Sequence, residues 1–177
     1  YQKSYEIRKI AYADNPNHPD IAASLYNIGN VYYNKGEYDK ALEYYQKSYE
    51  IRKIAYADNP NHPDIAASLY NIGNVYYNKG EYDKALEYYQ KSYEIRKIAY
   101  ADNPNHPDIA ASLYNIGNVY YNKGEYDKAL EYYQKSYEIR KIAYADNPNH
   151  PDIAASLYNI GNVYYNKGEY DKALEYY

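Results

Sequence analysis

The chain contains no cysteine, which excludes disulfides and thiolate metal sites and leaves the redox compartment open. Methionine, tryptophan and phenylalanine are also absent, so aromatic packing falls to tyrosine, of which there are 33. Basic charge is not in surplus: 20 Lys and Arg stand against 24 Asp and Glu, a net charge of −4. That balance argues against a nucleic-acid partner and against a polybasic membrane surface. No stretch approaches the ~20 apolar residues that span a bilayer, and no secretory leader is visible. The hydrophobic fraction of 46% includes the tyrosines, which is why mean hydropathy is as low as −0.97. Charged residues make up 25%, too many for a low-complexity chain.

What is present is one sequence, repeated. Every residue recurs 44 positions later without exception, so the 177 residues hold four copies and one residue more. A Rossmann domain, a barrel or a sandwich needs different elements at different places. Identical copies of one element pair make a repeat array instead. The whole chain, residues 1–177, reads as a single array. Its units are 17–60, 61–104 and 105–148, with a partial unit at 149–177 and another at 1–16.

Within one unit, Asn17-His18-Pro19-Asp20 reads as a helix start, with Asn17 as N-cap, Pro in the first turn and Asp near the positive helix end. Ile21, Leu25, Ile28 and Tyr32 follow on one helical face, and Lys35-Gly36 ends the helix. Helix A is predicted over about 18–35. Tyr38, Ala41, Leu42, Tyr45, Ser48 and Tyr49 then share a face, with Asp39, Lys40, Glu43, Gln46, Lys47, Glu50 and Lys53 opposite. Helix B is predicted over about 38–57, with a four-residue loop after it. Arg52 points into the apolar stripe, either as a snorkelling or ion-paired side chain or as a guanidinium lining a pocket. Ile54 points to the polar face. With eight Tyr per unit, rings are expected in the core and hydroxyls at its rim, bonded to water or backbone.

The run from Tyr26 to Lys47 resembles the tetratricopeptide repeat (TPR). Gly29, Tyr32, Gly36, Tyr38, Ala41 and Tyr45 fall where that family places small and aromatic packing residues. Ser48 replaces the usual Ala, and Leu25 stands where Trp is typical. The unit is longer than the common 34-residue repeat. Ile51-Arg52-Lys53 and the later His62-Pro63-Asp64-Ile65-Ala66 resemble the longer repeats of kinesin light chains. The resemblance implies an all-α fold, a right-handed superhelical α-solenoid with helix A lining a concave groove. It also favours a cytoplasmic location.

Projected down helix A, Asn27, Asn30 and Asn34 fall within about 60° of one another, nearly opposite the apolar face, and Tyr26 and Tyr33 flank them. An Asn amide carries donor and acceptor and can pair with an extended backbone. In TPR proteins this surface holds peptides. The candidate groove set is therefore Tyr26, Asn27, Asn30, Tyr33 and Asn34 in the first copy. Tyr70, Asn71, Asn74, Tyr77 and Asn78 repeat it in the second. The third copy supplies Tyr114, Asn115, Asn118, Tyr121 and Asn122, and the fourth Tyr158, Asn159, Asn162, Tyr165 and Asn166. The competing reading is an ordinary polar surface, since Asn occurs five times per unit. A carboxylate clamp is not expected, because Ala23 and Tyr26 stand where basic groups are wanted.

No cofactor, metal or catalysis is expected. His18, His62, His106 and His150 are the only histidines, each at a helix start, too far apart to share a metal at ~2 Å. No Gly-rich phosphate loop occurs, and Asp and Glu map to helix ends and a solvated face. The reading is a non-enzymatic scaffold with a protein or peptide partner. The alternative is a structural or engineered array without a groove ligand. The chain has no initiator Met and starts and stops within helix B, as expected for a window on a longer array or for a processed or designed one. Head-to-tail self-association through those cut helices is expected for the alternative.

Overall fold

A computed structural model describes residues 1–177. The chain is all-helical: α1 (Gln2–Ala11), α2 (Pro19–Asn34), α3 (Tyr38–Ala55), α4 (Pro63–Asn78), α5 (Tyr82–Ala99), α6 (Pro107–Asn122), α7 (Tyr126–Ala143), α8 (Pro151–Asn166) and α9 (Tyr170–Tyr176). Even-numbered elements are copies of helix A and odd-numbered ones copies of helix B. The chain divides into two compact units, Tyr1–Ile95 and Arg96–Tyr177.

The helix starts correct one expectation. The N-cap is His18, not Asn17, and its ring nitrogen Nδ1 accepts from the Asp20 amide at 3.2 Å. Pro19 then occupies the first helical position, where its missing N–H costs nothing. Each His also stacks on the Tyr six residues earlier: the Tyr56 and His62 rings are 3.6 Å apart and 4° from parallel. Tyr56 donates to Asp64 Oδ2 at 3.1 Å, so ring, cap and first-turn carboxylate lock the loop to the helix start. Asn could have capped, but it could not have stacked.

Helix ends follow the backbone chemistry. Gly36 lies at φ +74°, with its N–H on Tyr33 O and the Glu37 N–H on Tyr32 O, the double closure of a Schellman motif. Helix B is two residues shorter than the periodicity suggests, because after Ala55 the chain tightens into turns. The Ala57 amide donates to Ile54 O, and the Asn59 amide to Tyr56 O. The connection to the next helix A is correspondingly longer.

In unit 1, α1 packs on α2, α2 on α3 and α3 on α4. Ala41, Tyr45, Ile72 and Val75 form a buried cluster at the α3–α4 junction, ringed by half-buried Tyr26, Tyr33, Tyr49 and Tyr88. Each buried aliphatic side chain stabilises by ~1.5–3 kcal/mol. Close approach of α2 to α3 depends on Gly29: a Cβ there would meet the Tyr45 ring at 2.7 Å. Unit 2 repeats the scheme, with α6 on α7, α7 on α8 and α8 on α9. Its buried residues include Leu113, Val119, Tyr133, Ile160 and Val163.

Ser48 and Arg52 are buried polar residues whose partners lie on neighbouring helices. Ser48, in the position of the usual Ala, is fully buried and donates to Ala22 O at 2.8 Å. Arg52 is only 7% exposed and resolves into a brace between copies. Its Nη1 donates to Asp64 O at 3.0 Å and to Ser68 Oγ at 2.8 Å, while the guanidinium lies 5.1 Å from the Tyr26 ring centre. Ile54 is 58% exposed, and nothing in the fold explains it.

Candidate functional site

The Asn/Tyr set sits along helix A in a graded way. Asn27 and Asn30 are half-buried and Asn34 is exposed, with Tyr26 and Tyr33 half-buried beside them. The copies on α4 and α6 follow the same gradient, whereas Tyr158 and Tyr165 on α8 are 59% and 56% exposed.

These side chains are linked to one another. In unit 1, Asn71 Nδ2 donates to the Tyr26 hydroxyl and to Ala67 O, both at 2.9 Å. Asn78 Nδ2 donates to the Tyr33 hydroxyl at 2.6 Å and to Asn74 O at 2.9 Å. Two rungs thus join α2 to α4. Between them, Asn74 Nδ2 donates to Asn71 Oδ1 at 3.3 Å, and Asn74 Oδ1 accepts from the Tyr89 hydroxyl at 2.7 Å. Tyr89 comes from helix B, and its equivalent Tyr45 donates to Asn30 Oδ1 at 2.7 Å in the same way. Burial, then neighbouring tyrosines, pushes the Tyr45 and Tyr89 hydroxyls well above their ordinary range, which keeps them donors. In unit 2 the rungs recur as Asn159 to Tyr114 and, at 2.7 Å, Asn166 to Tyr121.

The tyrosine hydroxyls therefore bond to Asn and Asp side chains, where water or backbone was expected. A sequence signal for the rungs does exist. Each partner lies 45 positions away, which is the residue following that Tyr, one copy later. The adjacent pairs Tyr26-Asn27 and Tyr33-Asn34 encode the link. Helix B hydroxyls reaching the same face left no such mark, because nothing in a one-helix projection places them there.

Electrostatically the face is neutral. Helix A carries one charged residue, Asp20, at its N-terminal end. The guanidinium nearest the face, Arg52, is committed inward to Asp64 and Ser68. Charge gathers elsewhere. Lys79 pairs with Asp39 of the preceding helix B at 2.6 Å, and Lys84 with Glu81 at 2.6 Å. Glu81 is held below the usual carboxylate range chiefly by the Lys84 hydrogen bond. No group of three or more His, Asp or Glu could hold a metal ion, and no helix is long and apolar enough to cross a membrane. A cavity of about 500 Å³ lies against Tyr1, Ile28, Val31 and Tyr32.

The tetratricopeptide repeat model matches residues 1–54, 20–98, 64–142 and 108–177, which together span the chain. No curated protein matches it in sequence. Among solved structures, BtubC (BKLC) from P. vanneervenii is 21% identical with a TM-score of 0.79, over 90% of this chain and 61% of that one. A putative kinesin light chain of nearly identical TPR-like repeats from Podosopora anserina is 23% identical with a TM-score of 0.73, over 97% and 80%. Aspartyl phosphate phosphatase F from Bacillus subtilis is 21% identical with a TM-score of 0.77, over 89% and 38%. At these identities the likeness is one of fold. The chain spans less than two thirds of the first and third of these proteins.

Proposed function

The chain belongs to the tetratricopeptide repeat family, and from that premise we propose that it is a non-enzymatic interaction scaffold. It holds an extended peptide in a concave groove lined by the Asn/Tyr faces of successive A helices. One observation carries the reading: an uncharged stripe of half-buried Asn and Tyr, fixed in place by its own hydrogen bonds, repeats from copy to copy. The rungs hold the rotamers before a ligand arrives, so less side-chain entropy is lost on binding. Family members mediate protein–protein contact, which agrees with this reading.

The test is a display-selected peptide and a blocked groove. Ala23, Ala67, Ala111 and Ala155 lie one turn before the first Asn of each stripe, and their replacement by Arg fills the face without removing a rung. Binding of the selected peptide is expected to disappear, with the helical content kept. Unchanged binding places the peptide elsewhere and defeats the proposal.

A further inference from the structure

Cys, Met and Trp, side chains that oxidants readily attack, are all absent. An oxidant that takes one electron from this chain therefore meets tyrosine, 33 times over. The tyrosines are not equivalent. Losing an electron turns a phenol into a strong acid, so the hydroxyl hydrogen has to leave as well. The acceptor of the phenol's hydrogen bond decides how easily it does so. Tyr45 and Tyr89 donate to the amide oxygens of Asn30 and Asn74, and a neutral amide does not take up a proton near pH 7. Tyr56 donates to Asp64 Oδ2 at 3.1 Å, and a carboxylate is a base. The same pair recurs as Tyr12 with Asp20 at 2.9 Å, Tyr100 with Asp108 at 3.1 Å and Tyr144 with Asp152 at 3.3 Å. We propose that these four Tyr–Asp pairs are sites of one-electron oxidation, at which a diffusible oxidant of the peroxyl or carbonate radical class takes an electron from Tyr56 while its proton passes to Asp64. The proposal is independent of the peptide-binding reading.

The step balances. The oxidant gains one electron, the Tyr56 O–H bond breaks, an O–H bond forms on Asp64, and a neutral phenoxyl radical remains. An electron from a reductant of the ascorbate class, with the proton returned from Asp64, restores the phenol. Loss of the proton to water beforehand is not the route. Burial and the neighbouring Asp64 carboxylate hold the Tyr56 hydroxyl above its ordinary range, so phenolate is scarce at neutral pH. The carboxylate gives up little on taking the proton. In the later copies the guanidinium stands 3.9 Å from Asp108 Oδ2 and 4.0 Å from Asp152 Oδ2, the outer limit of an ion pair. The Tyr56 ring is half-buried, so an oxidant reaches its edge. One face is covered by the His62 ring, parallel at 3.6 Å, which keeps a second tyrosine from coupling there. The stack recurs at His18, His106 and His150.

The experiment oxidises the full chain with a photogenerated ruthenium(III) polypyridyl complex in the presence of a nitroso spin trap. Trypsin then cuts after Lys53 and Lys79, and the peptide of residues 54–79 carries Tyr56, Tyr70, Tyr76 and Tyr77. Because the copies are identical, fragment masses report the position of the adduct within a repeat. Adduct is expected on Tyr56 and its equivalents at least about tenfold above the other three positions, the scale on which a positioned base speeds proton loss. In urea the label is expected to spread evenly, since the pair exists only in the fold. Asp20→Asn, Asp64→Asn, Asp108→Asn and Asp152→Asn together keep a hydrogen-bond acceptor and remove the base. With thermal melts showing a folded chain, this variant is expected to lose the enrichment and to show a smaller solvent deuterium effect on the oxidation rate. Even labelling of the folded parent, or enrichment at another tyrosine, overturns the proposal. So does enrichment that persists in urea, or in the Asn variant, because neither leaves a fold-positioned carboxylate to take the proton.

Discussion

Replacing Arg52 and Arg140 by Met tests how copies are held together. Each guanidinium is nearly buried, at 7% and 6% exposure, and spans from helix B to the next helix A. Arg140 repeats the Arg52 contacts, donating to Asp152 O at 3.0 Å and to Ser156 Oγ at 2.8 Å, with the Tyr114 ring centre 4.6 Å away. Hydrogen bonds from a charged donor are worth ~1.5–3 kcal/mol each. The lower end applies here, because Ser68 itself donates to Asp64 O at 3.1 Å and leaves that carbonyl partnered after the change. The ring contact adds ~0.5–1 kcal/mol. Met preserves most of the stem's packing. Against this stands the relief of desolvating a buried cation, which in other proteins makes such replacements neutral or stabilising. The hydrogen bonds are expected to win, by roughly 3 kcal/mol per site. Urea unfolding followed by circular dichroism reads the loss. Because a linear array depends on nearest-neighbour coupling, the transition should also broaden. Ser68→Ala in both backgrounds should give a coupling of at least ~0.5 kcal/mol. A variant as stable as the parent, or more stable, refutes the brace and makes the arginine a net cost.

Gly73→Ala places a methyl 2.7 Å from the Tyr89 ring; overpacking of ~1–3 kcal/mol should exceed the ~1 kcal/mol gained in helix propensity, and a lower melting temperature checks it. His62→Ala should cost ~1 kcal/mol by loss of the cap, while His62→Asn keeps an acceptor and should recover most of it, as compared by thermal melts. Alkaline pH should unfold the chain. Unfolded tyrosine ionises near 10.0, but burial raises Tyr45 and Tyr89 above that. Their contribution is therefore complete below about pH 10 and is lost as pH rises towards the folded values. Urea midpoints at pH 9 and 11 check the direction, and an unchanged midpoint refutes it.

Much of the fold was legible because helices are local. Ile21, Leu25 and Ile28 mark their buried face by spacing alone, and Gly36 announces a positive φ through residue type. The candidate face was half legible. Asn27, Asn30 and Asn34 do share a side of helix A, but the projection sets them opposite the core, whereas Asn30 reaches back to Tyr45. The N-cap was misassigned for a related reason. Asn17 is the better cap by propensity, and the stack of His18 on Tyr12 that favours the histidine joins two elements.

The sequence by itself determined the repeat, the helix pairs, the neutrality of helix A and the reliance on tyrosine, since each depends on residue type and on neighbours within a few positions. Only the tertiary structure decided what Arg52, Ser48 and the Asn amides do. Their partners on other helices lie from 12 to 45 positions away, as with Arg52 to Asp64 and Asn71 to Tyr26. A polar side chain directed into a core reads the same whether it is stranded, ion-paired or bonded to a carbonyl one copy away. Bringing the next copy alongside is what supplies the carbonyl, and with it the difference between a cost and a brace.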